Sequence, residues 1–295
     1  MLDFRIDTFL MICRTMNFTH AAQLLHITQP AVSHQMQQLE EEYGVKLFMS
    51  QGKKLTLTAA GNALKATAVT MKHDDLLLKQ QLQQIGSGAQ QLTFGATLTA
   101  GPFALSHPLA HFLKSSPQTN VRMVIADTAA LLKQIEEGKI DFAIVEGFFP
   151  EKDYAFLTYT QEKFVAVCAP NYLFHRPVAS IEDLLEERLL VREEGSGTRS
   201  ILKTYLHSHN LTFDDFPHWT EVNSIYVLKQ LACAGCGITF LYETAVHEEL
   251  AAGTLQEIPL QDFSLTHNFS FIWCKDSAFA THYREIFNKF CEFRD

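Results

Sequence analysis

The sequence predicts a multidomain chain of α+β and α/β type: a small helical head with a two-stranded hairpin, one long polar helix, and a larger C-terminal α/β body. Three observations carry this. Two short helical segments joined by a tight turn occupy residues 18–36. A helix-period stretch over 58–88 is polar outside one narrow seam. From residue 91 onward, short apolar runs alternate with helical stretches, as in domains that interleave strands and helices. At 295 residues and 47% hydrophobic content the chain can form two or three compact units, and no apolar run approaches a bilayer span. Residues 1–11 lack the basic start, long apolar core and cleavage site of a secretory signal, so a cytoplasmic location is expected.

In the head, Thr28 can cap the second helix through its hydroxyl, and Pro30 fits a first turn whose N–H groups have no helical partner anyway. Val32, Met36 and Leu39 recur at i, i+4 and i+7 and face inward, leaving Gln29, Pro30, Ser33, His34 and Gln37 on the other side. Such a face suits a DNA major groove, because glutamine pairs bidentately with adenine and serine bonds several base edges. The alternative is a plain packing unit, since a helix, turn and helix with an apolar seam is common. The residues that follow favour DNA. Gly44 ends the helix, Leu47 and Phe48 return to the core, and Gln51-Gly52-Lys53-Lys54 makes a basic turn before Leu55-Thr56-Leu57-Thr58. Two short strands around that tip form a wing able to lay Lys53 and Lys54 on phosphates beside the groove.

On these residues the head resembles the LysR family of bacterial transcriptional regulators. The likeness runs through Asn17, Phe18, Thr19, Ala21 and Ala22, then Leu25 and Ile27-Thr28-Gln29-Pro30-Ala31-Val32-Ser33. It continues through Leu39-Glu40, Gly44-Val45, Leu47-Phe48, Leu57-Thr58 and Ala60-Gly61. The resemblance implies a winged helix-turn-helix that reads an interrupted palindrome, with Gln29, Pro30, Ser33 and His34 nearest the bases. Ser50 and His34 depart from positions where the family usually or often carries arginine, which gives Lys53 and Lys54 a larger share of the electrostatic grip. The DNA-binding set expected is therefore Thr28, Gln29, Pro30, Ser33, His34, Gln37, Lys53 and Lys54.

The net charge of −9 argues at first against nucleic acid, but it is unevenly distributed. Within residues 1–62, Arg5, Arg14, Lys46, Lys53 and Lys54 balance Asp3, Asp7, Glu40, Glu41 and Glu42. A neutral head gives one copy only moderate affinity, because nonspecific attraction grows with the phosphates neutralised. Two copies are expected to share the work. Thr58 caps a helix in which Leu64, Met71, Leu78 and Ile85 repeat every seven residues, with Ala68 and Leu82 alongside and an interruption at Asp75. That pattern is a narrow coiled-coil seam, extending roughly 40 Å at 1.5 Å per residue. It predicts a dimer through the linker helix, with paired dimers forming a tetramer. An ordinary amphipathic helix folded on its own domain is the alternative. Gly86-Ser87-Gly88 supplies a flexible joint.

The divisions expected are a DNA-binding domain over 1–60, a linker helix over 58–88 and an effector-binding domain over 90–295. In the last, strands are read at 92–96, 121–126, 142–145, 164–168 and 189–191, and helices near 103–114, 128–137, 198–209, 224–234 and 279–293. The LysR resemblance implies a periplasmic-binding-protein-like body of two subdomains, about 90–163 plus 266–295 and about 164–265. The chain then crosses near 162–167 and returns near 264–268.

Arg192-Glu193-Glu194-Gly195-Ser196-Gly197-Thr198-Arg199 follows the strand at 189–191. Glycines let backbone amides approach a ligand, Ser196 and Thr198 offer hydroxyls, and the helix starting there presents its positive end. That combination favours an anion. Thr97-Leu98-Thr99-Ala100 follows the first strand and opens the first helix, giving a second set of donors. The resemblance implies an effector between these regions, walled by Val145-Glu146-Gly147 and Asn223-Ser224. The expected effector-binding set is Thr97, Leu98, Thr99, Ala100, Val145, Glu146, Gly195, Ser196, Gly197, Thr198, Asn223 and Ser224. A capped turn is the alternative reading of the Gly-Ser-Gly-Thr loop. Glu146, Glu193 and Glu194 complicate an anion unless they point outward, pair with Arg192 or Arg199, or bind a polar group. A carboxylate, sulfur oxyanion or phosphorylated metabolite all fit the loop.

Cys233-Ala-Gly-Cys236 has redox or zinc spacing but no second pair to complete a site, and is read as buried and structural. Ser196 lacks the Gly-x-Ser-x-Gly elbow of a nucleophile, so no catalytic residue is assigned. The expected function is ligand-responsive regulation of transcription. The expected partners are promoter DNA, a second copy of the chain, a small-molecule co-inducer and RNA polymerase, with no membrane, metal or other cofactor.

Overall fold

The computed structural model describes residues 3–52, 54–84 and 90–293. Lys53 at the wing tip, the seam residue Ile85 and the expected joint at Gly86, Ser87 and Gly88 lie outside the described residues. The chain folds as two compact units. The first takes in the described residues up to Gln84 with Glu136–Lys139 and Cys274–Phe279, and the second takes in the rest.

The first unit holds α1 (Phe4–Thr15), α2 (Phe18–Leu25), α3 (Gln29–Tyr43), β1 (Phe48–Gln51), β2 (Lys54–Leu57) and α4 (Ala59–Gln84). Local chemistry sets its boundaries. Asn17 caps α2 by accepting from the His20 N–H at 3.0 Å, and Thr28 caps α3 by accepting from the Ala31 N–H at 3.3 Å. Gly44 closes α3 at φ 67°, in the left-handed region that glycine enters most readily. Phe9, Ile12, Ala22, Val32, Met36, Leu39 and Leu47 form the core. The hairpin is antiparallel, with Gln51 opposite Lys54.

Thr58 ties the hairpin to α4: its hydroxyl donates to the Lys46 carbonyl at 2.7 Å and accepts from the Gly61 N–H at 2.9 Å. The helix therefore runs against the Leu47 backbone, where a Cβ on Gly61 would stand 2.1 Å from the Leu47 carbonyl oxygen. Gly61→Ala is expected to cost about 1–3 kcal/mol of stability through overpacking, read by thermal unfolding. An unchanged melting temperature would contradict this close approach.

The seam on α4 divides. Leu64 packs against the core of the first unit and Ala68 is buried within it, so the first turns serve the fold of their own unit. Further along, Met71, Leu78 and Leu82 are 50%, 48% and 57% exposed, an apolar stripe on a polar helix. Asp75, at the break in the pattern, pairs with Lys79 one turn on.

The second unit is built on one sheet. Its strands are β3 (Gln90–Ala96), β4 (Thr119–Ile125), β5 (Phe142–Val145), β6 (Tyr154–Cys168), β7 (Leu189–Arg192), β8 (Trp219–Val222), β9 (Ile238–Tyr242), β10 (Gln256–Glu257) and β11 (Leu265–Cys274). The order is β4-β3-β5-β11-β6-β9-β7-β8, with β10 on β6. Parallel pairs β3–β4 and β3–β5 form one half, and parallel pairs β7–β8 and β7–β9 form the other. The two lobes meet where β11 lies beside β6. Helices α5 (Ser106–Ser115) and α6 (Thr128–Glu136) belong to the first lobe, where α10 (Ala280–Cys291) joins them by packing Phe290 on Phe94, Phe112 and Phe142; α7 (Gly197–Ser208), α8 (Ile225–Cys233) and α9 (Glu243–Ala251) belong to the second.

Four expectations change. The strand read at 164–168 begins at Tyr154, because its first ten residues alternate in burial and carry no continuous apolar run. The helix read at 103–114 opens as a π-turn, Ala100–Leu105, before α5 begins at Ser106. The strands β8, β10 and β11 and the helix α9 were not foreseen as elements. Cys233 is half-buried and Cys236 exposed, because the chain leaves α8 through Gly235 at φ 73° and turns outward.

Candidate functional site

The first unit presents α3 to solvent along one face. Gln29, Pro30, His34 and Gln37 are exposed and Ser33 is half-buried, directly opposite the buried Val32, Met36 and Leu39. Gln29 donates from Nε2 to the Ser33 hydroxyl at 2.8 Å. This bond orients the side chain but leaves one amide hydrogen and the carbonyl oxygen, the two groups a bidentate contact with adenine requires. Gln37 donates from Nε2 to Glu41 at 2.8 Å, so part of its capacity is held within the helix. The hydroxyl of Thr28 serves as the helix cap. Lys54 is exposed on the wing.

In the second unit the carboxyl ends of the parallel strands from both lobes meet, the usual ligand position in open α/β sheets. Glu146 follows β5 and is only 3% exposed. Around it stand Thr97 and Thr99 after β3, Thr128 at the start of α6, Tyr242 at the end of β9, and the first turn of α7. The approach is close. A Cβ on Gly197 would stand 2.9 Å from Glu146 Cγ, and one on Gly147 would stand 2.5 Å from Thr128 Oγ1. Only glycine at these positions lets the α7 backbone lie against the Glu146 segment. The hydroxyls of Thr99 and Thr198 lie 3.5 Å apart across the two lobes.

Four buried oxygens here lack a hydrogen-bond partner: Thr97 Oγ1, Thr128 Oγ1, Glu146 Oε2 and Tyr242 Oη. Each such group costs about 1–3 kcal/mol when nothing bonds to it, so their convergence marks a place built to meet polar atoms. Burial pushes the Glu146 carboxyl up to about 7, against the Thr99 hydroxyl and the Arg192 charge, which favour ionisation. The folded state therefore prefers the neutral acid, and this residue opposes folding increasingly as pH rises from its ordinary 4.5 through about 7. Burial, and then the Glu146 charge, raise the Tyr242 phenol. Burial lowers His267, whose ring bonds the Glu146 backbone.

The basic residues of the loop are already engaged. Arg192, 2% exposed, makes a bidentate pair with Glu193 at 2.8 Å from both Nε and Nη2. Arg199 donates to the Arg192 carbonyl at 3.0 Å and pairs with Glu221. Of the options for the three glutamates, Glu193 takes the arginine pairing, Glu194 is exposed and Glu146 is enclosed. Ser196 caps α7 by accepting from the Arg199 N–H at 3.1 Å, so the capped-turn reading of this hydroxyl holds. Gly195 is exposed at φ 92°.

Of the expected effector-binding set, Thr97, Thr99, Ala100, Val145, Glu146, Ser196, Gly197 and Thr198 are all buried, and Leu98 is half-buried. Asn223 is exposed and Ser224 is the α8 cap, accepting from the Val227 N–H at 3.4 Å. That wall is more open than expected, because the turn between β8 and α8 faces solvent. Sequence reasoning missed Thr128 and Tyr242. Both sit where a strand gives way to a helix, the same signal that located Thr97 and Ser196. Among the described residues no cluster of three or more His, Cys, Asp or Glu could hold a metal, and no helix is long and apolar enough to cross a membrane.

Comparisons with known proteins agree with this architecture. The family described as bacterial regulatory helix-turn-helix protein, lysR family, matches residues 5–62, and the LysR substrate binding domain matches residues 86–288. The HTH-type transcriptional regulator CysL of Bacillus subtilis (strain 168) is 28% identical over 273 residues, covering 90% of this chain and 89% of CysL. Among solved structures, the fold is similar to full-length LTTR LysG from Corynebacterium glutamicum with bound effector Arg. The TM-score is 0.64, with 18% identity and 100% of each chain covered. It is also similar to the regulatory domain of CcmR from Synechocystis PCC6803 in complex with 2-PG. There the TM-score is 0.61, with 19% identity, covering 70% of this chain and 98% of that one. The helix-turn-helix head, the two-lobed body and both family matches together make this chain a member of the LysR family of transcriptional regulators, with an effector-binding domain.

Proposed function

We propose that this regulator reads a roughly palindromic promoter site through Gln29, Ser33 and His34, with Lys54 and Lys53 on flanking phosphates. We propose further that a small molecule held between the two lobes of the second unit alters how the heads sit on DNA. The observation that supports the DNA reading is the Gln29–Ser33 pair on the face of α3 turned away from the buried Val32, Met36 and Leu39. The ligand reading is supported by the Glu146 cluster at the strand ends, and by analogy with LysG and CcmR, described with Arg and 2-PG respectively. An acidic group of the ligand belongs at the first turn of α7, where backbone amides and the Thr198 hydroxyl converge. The ligand shifts the DNA-bound arrangement only by its difference in affinity between two states.

The same reading makes the chain a cytoplasmic regulator rather than an enzyme. It divides into a head over 1–60, a linker helix over 58–88 and an effector domain over 90–295, and self-associates along α4. RNA polymerase contact follows from the regulatory role. Footprinting at physiological salt tests the DNA half: one protected, roughly palindromic site is expected, and uniform protection would overturn it. On that site Gln29→Ala is expected to cost about 1–3 kcal/mol, with little change on random duplex. Equal losses on both would remove the base contact.

A further inference from the structure

Glu146 carries an inference beyond a generic ligand. Its carboxylate is enclosed, and one oxygen has no partner. The nearby cations do not offset it: Arg192 is bidentate to Glu193, and Arg199 pairs with Glu221. Lys229, the buried cation of α8, is held by the Ala245 carbonyl at 2.9 Å and by Glu249 at 2.7 Å. With the two arginine pairs neutral, the Glu146 cluster carries a surplus negative charge when that group is ionised. A ligand that is only an anion would place like charge beside it. An anion there therefore keeps Glu146 in its neutral form, whereas a cationic group pairs with the enclosed carboxylate and favours its ionised form.

Donors and acceptor lie side by side. The first turn of α7 with the Thr198 hydroxyl supplies donors for an acidic group, while the Thr99 hydroxyl is bonded to Glu146. Glu146 Oε2, against that same turn, supplies an acceptor with charge. We propose that the ligand of this cleft is a zwitterion of the α-amino acid type, its carboxylate at the α7 first turn and its ammonium on Glu146. This rests on the reading that the cleft binds the effector, and it narrows the ligand class from anions at large to molecules bearing a protonated amine.

The test uses the full-length protein and paired probes: the common L-α-amino acids, each beside its des-amino carboxylate. Binding is followed by thermal shift and then by calorimetry. At least one amino acid is expected to raise the melting temperature, with its des-amino partner binding at least tenfold more weakly. Glu146→Gln is expected to weaken the amino acid at least tenfold, because the amide keeps the shape but loses the charge. The wild-type comparison decides the matter even if the variant folds poorly. Des-amino carboxylates binding as tightly as their amino partners would overturn the zwitterion and leave the cleft reading standing. Amino acids binding Glu146→Gln undiminished would overturn the ammonium contact. No shift with any amine-bearing probe would also overturn the inference.

Discussion

Met71→Glu combined with Leu78→Glu is expected to convert the DNA-binding species to monomers and to lower affinity for a palindromic operator by about 10²–10⁴-fold. The magnitude follows from linkage. Two joined heads make the second half-site encounter intramolecular, at an effective concentration in the millimolar range for short connections. A charge-neutral head has little nonspecific attraction to compensate once that advantage is lost. Both side chains are about half exposed on α4, so the new carboxylates are solvated in the monomer and its fold should change by no more than about 0.5 kcal/mol. Sedimentation velocity reads the assembly state, and gel shifts on one and two half-sites read the affinity. The variant should bind a single half-site as the wild type does. A variant that stays dimeric with undiminished operator affinity would show that α4 is not the joining surface.

Phe142→Ala is expected to cost about 3–5 kcal/mol, lowering the melting temperature of the second unit by roughly 10 °C. Phe142 is fully buried on β5, stacked at 5.1 Å on Phe94 and at 4.2 Å on Phe271. Phe290 and Tyr283 from α10 meet its edge. Removing the ring leaves a cavity that three strands and a helix must collapse around together. The same strand ends one residue before Glu146, so ligand response should fall along with stability. Phe148, 60% exposed just beyond it, provides the control: Phe148→Ala should leave the melting temperature within a degree or two. Similar losses in both variants would mean that the aromatic stack does not dominate this core.

Those two sites differ in how legible they were. The seven-residue repeat on α4 was visible, yet its first positions, Leu64 and Ala68, turned out to serve the first unit's own core. Periodicity reports that a stripe is apolar, not which neighbour covers it. The faces of α3, its cap at Thr28 and its end at Gly44 followed from residue type and spacing, because each depends on interactions within a few residues. The long crossing strand β6 was only partly legible. Its last five residues are buried and read as apolar, whereas the alternating stretch before them looks like any half-exposed segment.

The loop from Arg192 to Arg199 was recognisable as a strand-to-helix junction rich in donors, but its charge balance was not. Chain order placed Glu146, Glu193 and Glu194 on equal terms. Folding gave them three different fates: enclosed, paired with Arg192, and exposed. Thr128 and Tyr242 joined the site from elements distant in the chain; each sits at a strand-to-helix junction, but that signal does not say which junctions share a site.

By itself, then, the sequence determined the recognition helix, its caps, the wing and the alternation of strands and helices, since hydrogen bonds and side-chain periods of short range decide these. Only the tertiary structure decided which side chains share the cleft, which charges cancel there and which carboxylate oxygen is left without a partner. Burial and electrostatic balance depend on groups brought together from across the chain, and linear spacing carries no record of them.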